Sequence, residues 1–167
     1  MVLPDIDYRL YAVNLSLFDA ASGGKIQLKA DAIQHFRKQD ELLIDKPVID
    51  RFGKPSDADF TRVAKQNLRA SAARVYKKGQ SVLLYDGVTL SSSAAEKEAM
   101  SVMQTRSLWL YPAEKRAETA QSVQIQQGET TLSGRGLKAD FATQSMELSH
   151  DVQAQVRPVF GAKPSAK

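Results

Sequence analysis

Apolar and polar positions alternate with a period of two over most of the chain. In Lys25-Ile26-Gln27-Leu28-Lys29-Ala30-Asp31-Ala32 the even positions are apolar and the odd ones polar. That alternation marks a strand with one buried and one wet face. The segment from 146 to 156 repeats it: Met146, Leu148, Val152, Ala154 and Val156 fall on one face, with only His150 breaking the row. Glu147, Ser149, Asp151, Gln153 and Gln155 fall on the other. Leu137/Ala139/Phe141 and Val123/Ile125 are shorter cases. Helical spacing is confined to residues 92 to 103, where Ala94-Ala95-Glu96-Lys97-Glu98-Ala99 allows a turn or two. The expected fold class is all-β.

The phase of the alternation slips between Ala12 and Val13, and again between Ala32 and Ile33. A slip of one residue turns every following side chain over, so these positions predict bulges or bends in long strands that curl around a core.

A loose repeat underlies the pattern. Val48, Val88, Val123 and Val152 serve as anchors, preceded at four residues by Ile44, Leu84, Thr119 and Leu148. An aromatic lies further upstream in each unit: Phe36, Tyr76, Tyr111 and Phe141. Turn-like segments separate aromatic from anchor, for example Arg37-Lys38-Gln39-Asp40 and Lys77-Lys78-Gly79-Gln80. Each unit therefore reads as strand, tight turn, strand. With an N-terminal strand near residues 6 to 18, about nine strands are expected in one domain spanning 1–160, followed by a disordered tail at 161–167.

Composition adds limits. At 167 residues the chain is long enough for a core without staples, and 43% hydrophobic with 25% charged is ordinary for a globular domain. Without cysteine there is neither disulfide nor thiolate metal site. No stretch approaches the roughly 18 apolar residues of a membrane-spanning helix. Met1-Val2-Leu3-Pro4-Asp5 lacks the basic and apolar regions of a signal peptide. A net charge of +4 is mildly basic, but its adjacent pairs, Arg37-Lys38, Lys77-Lys78 and Lys115-Arg116, sit in or beside turns. Nucleic acid is not the expected partner, since its binding needs a denser basic stripe.

Candidate chemistry is sparse. His35 and His150 are the only histidines, and neither has metal-ligand spacing. Gly134-Arg135-Gly136 lies between two strands and opens no helix, so a bulge or close approach explains it better than a phosphate loop. Trp109 is either a ligand platform or core. The expectation is a non-enzyme with no cofactor and no metal, which holds or passes on something apolar. An incompletely closed roll would offer two assets: an apolar groove, and unpaired first and last strands that invite a partner's strand.

The hairpin series resembles the periplasmic domain of the LptC family of lipopolysaccharide export proteins, from about Tyr8 to Pro158. The resemblance is carried by Phe18-Asp19 with Gly23-Gly24 and Ala30; Ile44 with Pro47-Val48; Leu84-Tyr85 with Val88; residues Thr105-Arg106-Ser107-Leu108-Trp109-Leu110-Tyr111-Pro112; Ala117-Glu118-Thr119 with Val123 and Ile125; Gly136-Leu137-Lys138-Ala139; and Leu148 with Val152. It implies a β-jelly roll open along one side that receives lipopolysaccharide acyl chains. It also implies partners at both edges: the periplasmic domains of an inner-membrane ABC transporter at the N-terminal edge, and an LptA-like bridge protein at the C-terminal edge. By the same resemblance the groove is lined by Val13, Leu15, Ile44, Leu84 or Tyr85, Met146 and Leu148. Parity favours Leu84 over Tyr85 unless Gly87 marks a bulge. Gly136 matches a family glycine, and Val152 to Val156 belong to the C-terminal edge. The family carries an N-terminal membrane helix, so anchoring upstream of this chain is expected in the periplasm of a Gram-negative cell. The alternatives are a bridge protein of the LptA type and a structural or adhesive β-repeat protein that works by edge pairing alone.

Overall fold

The computed structural model describes residues 5–18, 23–53, 64–93, 100–143 and 145–157, and among them the alternating segments form eleven strands. These are β1 (Ile6–Phe18), β2 (Lys25–Phe36), β3 (Glu41–Asp45), β4 (Val48–Phe52), β5 (Ala64–Tyr76), β6 (Ser81–Ser92), β7 (Ser101–Thr105), β8 (Leu108–Tyr111), β9 (Arg116–Gln127), β10 (Thr130–Asp140) and β11 (Ser145–Val156). All pair antiparallel in one sheet. The helical turn allowed at 94–99 and the tail at 161–167 lie outside the described residues.

The sheet has nine lanes in the order β1, β2, β3, β5, β6, β7, β9, β10, β11; β4 continues the lane of β3, and β8 that of β7. Nine lanes match the strand number expected from the hairpin series. Eleven segments arise because two lanes break in the middle, at Lys46-Pro47 and at Arg106-Ser107. Pro47 has no N–H to give to the ladder, and Lys46 takes φ 47°, so the lane cannot run through uninterrupted.

Directly paired residues of an antiparallel ladder point to the same side of the sheet. Following the pairings inward gives five transverse layers. One runs unbroken from edge to edge through Leu15, Leu28, Ile49, Leu68, Leu90, Met103, Ile125, Leu132 and Ala154. We number the layers 1 to 5 from the Tyr8 end of β1, which makes this one layer 4. Layers 2 and 3 hold the most deeply buried side chains. Ala73, Leu84 and Leu108 are neighbours in layer 2, each 1% exposed, and Val88 and Val123 in layer 3 flank Thr105. The Thr105 hydroxyl donates to the carbonyl of Ser122 at 2.9 Å, and the Thr119 hydroxyl in layer 2 accepts from the backbone N–H of Gln121 at 3.1 Å, so both buried polar side chains are satisfied.

Between layers 2 and 3 a crease crosses the sheet. Non-glycine residues with positive φ mark it at Ala12 in β1, Lys46 between β3 and β4, Asp86 in β6 and Asp151 in β11; Gly87 and Gly136 mark it in β6 and β10. The backbone N–H of Lys46 donates to Ser71 O at 2.9 Å, and that of Gly87 to Arg106 O at 3.1 Å, tying neighbouring lanes together along the bend. At the crease, successive inward residues stand three or four apart instead of two. Leu10 and Val13 are paired to the buried Ile33 and Ala30. This is the phase slip seen in the sequence, placed at Ala12 in β1 and between Ala30 and Ile33 in β2. It bends every lane at one height, so the sheet curls as a unit.

The loose repeat is the same layering. Ile44, Leu84, Thr119 and Leu148 all lie in layer 2, while Val88, Val123 and Val152 lie in layer 3. The first anchor is displaced by one. Val48 pairs with Lys29 and Arg69 on the outer face, and the buried Pro47 beside it takes the inward place.

The first half of β1 is fastened to the β2–β3 turn by polar contacts. Arg37 donates to the Asp7 carboxylate from Nε at 3.0 Å and also from Nη2, and the backbone N–H of Arg37 donates to Asp5 O at 2.9 Å. Tyr8 stacks on His35 with ring centroids 5.0 Å apart, and His35 Nε2 lies 3.2 Å from Asp40 Oδ1. The hydrogen bond from Arg37 holds the Asp7 carboxyl below the usual carboxylate range, against a smaller opposing effect of desolvation. A depressed folded-state pKa stabilises the fold at pH above the unfolded value, about 3.9. That contribution is lost as pH falls through the lower folded value. Asp7→Asn is therefore expected to lower stability modestly at neutral pH and to leave it little changed at about pH 2.5, so that the acid limb flattens. Urea unfolding of both chains between about pH 2.5 and 6 measures this; parallel acid limbs would contradict it.

Candidate functional site

An antiparallel path of nine lanes whose first and last strands do not pair with each other leaves a roll open along one side. The burial of each layer shows the opening. In layer 1, Ala117 on the interior strand β9 is 3% exposed, whereas Tyr8 and Met146 at the two ends of the path are 44% and 53% exposed. Layer 2 ends in Leu10 on β1 and the half-buried Leu148 on β11, and layer 3 in Val13 and Val152. The side chains at the ends point inward and still meet solvent, because no further lane covers them. Layers 1 to 4 are almost wholly apolar. Layer 5 is polar through its middle, with Arg51, Gln66, Ser92, Ser101 and Gln127 between Leu17 and Ile26 on one side and Val156 on the other. The result is an apolar trough with one polar end.

The residues singled out in the sequence fall into three places. Val13 and Leu15 line the β1 side of the opening, Val13 half-buried and Leu15 47% exposed. Met146, Leu148, Val152 and Val156 line the β11 side. Ile44 and Leu84 lie in layer 2, 7% and 1% exposed, at the bottom of the trough and packed into the core. Tyr85 is half-buried on the outer face, paired with Ala72, so Leu84 is the inward residue of that pair. The parity argument placed them this way, and the double step at Asp86 and Gly87 comes after them. Gly136 is at the crease with φ +76°, and a Cβ there would stand 3.3 Å from Ser149 Cβ.

Four exposed inward residues were not among the groove positions read from the sequence: Tyr8, Leu10, Leu17 and Ile26. A signal for Leu10 was present, because a slip between Ala12 and Val13 puts residues three apart on one face. His35 also points inward, in layer 1 against Tyr8 and Leu42, and its Nδ1 lies 3.3 Å from Asp7 Oδ2 without hydrogen-bond geometry. It closes that end of the trough with a polar ring flanked by carboxylates.

A surface depression of about 620 Å³ lies along the crease and is lined by Gln104, Ser122, Gln124, Arg135, Asp151 and Gln153 among others. It is open and lined mostly by residues with polar side chains, and it does not coincide with the apolar trough. Among the described residues, no group of three or more His, Asp or Glu side chains is placed to hold a metal ion. Nor is any helix there long and apolar enough to cross a membrane. What this arrangement can do chemically is shelter hydrocarbon along an open side and offer two strand edges.

Residues 5–157 match the family model described as lipopolysaccharide-assembly, LptC-related. Among curated proteins no significant match is found. Several solved structures are similar. One is LptH of Pseudomonas aeruginosa, described as the LptA-homologous periplasmic component of a lipopolysaccharide transport device. It superposes with a TM-score of 0.58 at 13% identity, over 80% of this chain and 95% of the other. At that identity the likeness concerns the fold, the β-jelly roll.

Proposed function

The chain belongs to the LptC-related family of lipopolysaccharide-assembly proteins, and on that premise we propose that its apolar trough carries the acyl chains of lipopolysaccharide. Its role is lipopolysaccharide transport in the periplasm, in a family of transport proteins. The observation that supports the trough as the carrier is the row of inward, solvent-exposed apolar side chains at both ends of the layers: Leu15 and Leu17 on β1, Met146 and Val152 on β11. Transfer of hydrocarbon is worth about 0.8 kcal/mol per buried CH₂, so a few acyl chains bind without a polar code. Ile44 and Leu84, packed into the core, support the trough from beneath.

In this reading the β1 edge meets the periplasmic domains of the inner-membrane ABC transporter, and the β11 edge meets an LptA-like bridge protein. A segment preceding this chain anchors it in the inner membrane. The support for edge docking is that both terminal strands are long and that, among the described residues, Ile6 to Leu17 of β1 and the whole of β11 ladder with a neighbouring strand on one side.

The test is to place a charge at the opening. Met146→Glu and Leu15→Glu are expected to lower lipopolysaccharide capture by tenfold or more, with a melting temperature within a few degrees of the parent, since both sites are half-exposed. Capture is measured by photo-crosslinking or by displacement of a fluorescent lipid A. Undiminished binding by both folded variants would remove the trough as the carrier. It would leave edge pairing as the chain's work.

A further inference from the structure

The face of the sheet that turns away from the trough carries a furrow of its own. Following the outward pairings across β8, β9 and β10, Trp109 stands beside Glu118 and Glu118 beside Lys138. On the far side of the crease Gln104, Gln124, Ser133 and Gln153 form the next outward row. The crease spreads these two rows apart. Small residues, Ala120, Ser122 and Gly136, floor the gap, and Arg135 crosses it, with Ser122 and His150 as its ladder partners. The depression of about 620 Å³ on the glutamine side and a second of about 490 Å³ beside Trp109 meet at Arg135, which lines both. Together they cross four lanes, from β7 and β8 to β11, a span of about 14 Å at the usual spacing of paired strands.

The aromatic end of the furrow is well fixed. Trp109 has Tyr76 and Tyr111 as ring neighbours, with centroids 5.7 and 6.4 Å away. The Arg116 guanidinium sits 3.8 Å from the centre of the Tyr111 ring. Glu118 is held through both oxygens, accepting from the Tyr111 hydroxyl at 3.1 Å and from Arg116 Nη1 at 3.0 Å. The donors that face the furrow are uncommitted. Among the described residues nothing accepts from the Trp109 indole N–H, and neither Arg135 nor Lys138 makes an ion pair. An aromatic shelf beside spaced donors and acceptors suits a ring that is apolar on its faces and hydroxylated around its rim. The carboxylates of Glu118 and Asp151 disfavour a polyphosphate such as nucleic acid. A peptide strand has no ladder to join here, because β7, β8, β9 and β10 are paired on both sides.

We propose that this outer furrow is a saccharide site: a short oligosaccharide stacks one ring on Trp109 and runs along the crease, hydrogen-bonded by Arg135, Lys138 and the amides of Gln104, Gln124 and Gln153. The furrow lies across the sheet from the trough, so it works independently of hydrocarbon binding. Such rings reach a periplasmic protein from two sources, the sugar chain of lipopolysaccharide and free glycan.

Trp109 is the only tryptophan, so its fluorescence reports on the furrow directly. The full chain is titrated with three probes: lipid-free core oligosaccharide cleaved from lipopolysaccharide, a tetramer of N-acetylglucosamine, and maltotetraose. At least one is expected to shift the emission saturably, with a Kd on the order of 1 mM or below. Ser122→Tyr, which fills the floor, and Arg135→Gln should each weaken that binding by about tenfold. Both positions are exposed, so the melting temperature should stay within a few degrees of the parent. Met146→Glu and Leu15→Glu, in the trough, should leave saccharide binding unchanged. A response to core oligosaccharide alone assigns the sugar chain of lipopolysaccharide, and a response to either other probe alone assigns free glycan; a response to several assigns hexose rings in general. Each supports the site. No saturable response to any probe up to about 20 mM, by fluorescence or by calorimetry, overturns the proposal. Undiminished binding by both furrow variants overturns it as well. Lipopolysaccharide capture through the trough is read separately by crosslinking, so failure here leaves that reading untouched.

Discussion

Leu84→Ala is expected to cost this fold about 2–5 kcal/mol, towards the upper end of that range, and Leu84→Glu to leave the chain unfolded. Leu84 is 1% exposed near the middle of layer 2, and its paired neighbours Ala73 and Leu108 are also 1% exposed. Ala73 is already small, and all three sit on strands locked by ladders on both sides. The surroundings can therefore do little to collapse into the space a truncation leaves, and the cavity cost persists. For a domain of this size, each kcal/mol shifts the melting temperature by roughly 2–4 °C, so a fall of about 8–15 °C is anticipated for the alanine variant. Met146→Ala, in the end position of layer 1 and 53% exposed, should move it by no more than a degree or two. Thermal and urea unfolding of the two variants side by side measure the gradient from mid-lane to edge. A Leu84→Ala cost below about 1 kcal/mol would mean the bottom of the trough is not packed as described. The same gradient governs Ile44, at 7% exposure. A carboxylate there tests the fold first and ligand capture second, so Met146 and Leu15 are the positions at which binding can be probed on a folded protein.

Alternation alone reveals which face of a strand turns inward, but not how far a strand lies from the edge of its sheet. Lys25 to Ala32 announces β2, and the slip at Ala12 announces the bend in β1, because both are local consequences of the period-2 backbone. Leu84 and Met146 carry the same local signal, an apolar residue on an alternating strand. One is sealed and the other open only because of lanes contributed by residues far away in the chain. The repeat was legible for the same local reason, and it went wrong by one at Val48 because Pro47 reads as a turn residue while filling an inward place. The crease as a continuous line was not legible. The carbonyls of Ser71 and Arg106 accept from Lys46 and Gly87, and the Ser71 hydroxyl donates to Asp86 O, and an alternation of apolar and polar positions carries no record of those bonds. The joining of Tyr8, His35, Asp7 and Asp40 at one end of the trough needed the β1–β2 register. The sequence offered only a histidine near a turn.

Gly136→Val is expected to destabilise by roughly 2–4 kcal/mol and to loosen β11 selectively. Gly136 holds φ +76°, where an L residue pays about 1–2 kcal/mol and a β-branched one more. Its Cβ would also stand 3.3 Å from Ser149 Cβ and 3.5 Å from Ser149 Oγ, both on the neighbouring β11. The second methyl-bearing branch of valine makes that contact worse, and the side that can yield is β11, which has no further lane outside it. Gly136→Asn carries the same Cβ but tolerates the left-handed region, so it should cost clearly less than valine. Gly79→Ala, at φ +92° with open space around its Cβ position, isolates the backbone penalty alone. Hydrogen exchange followed residue by residue distinguishes the outcomes. Protection should fall along β11 from Met146 to Val156 while β5 and β6 keep theirs. A uniform loss across the sheet, or equal costs for valine and asparagine, would show that the crease does not depend on glycine at this point.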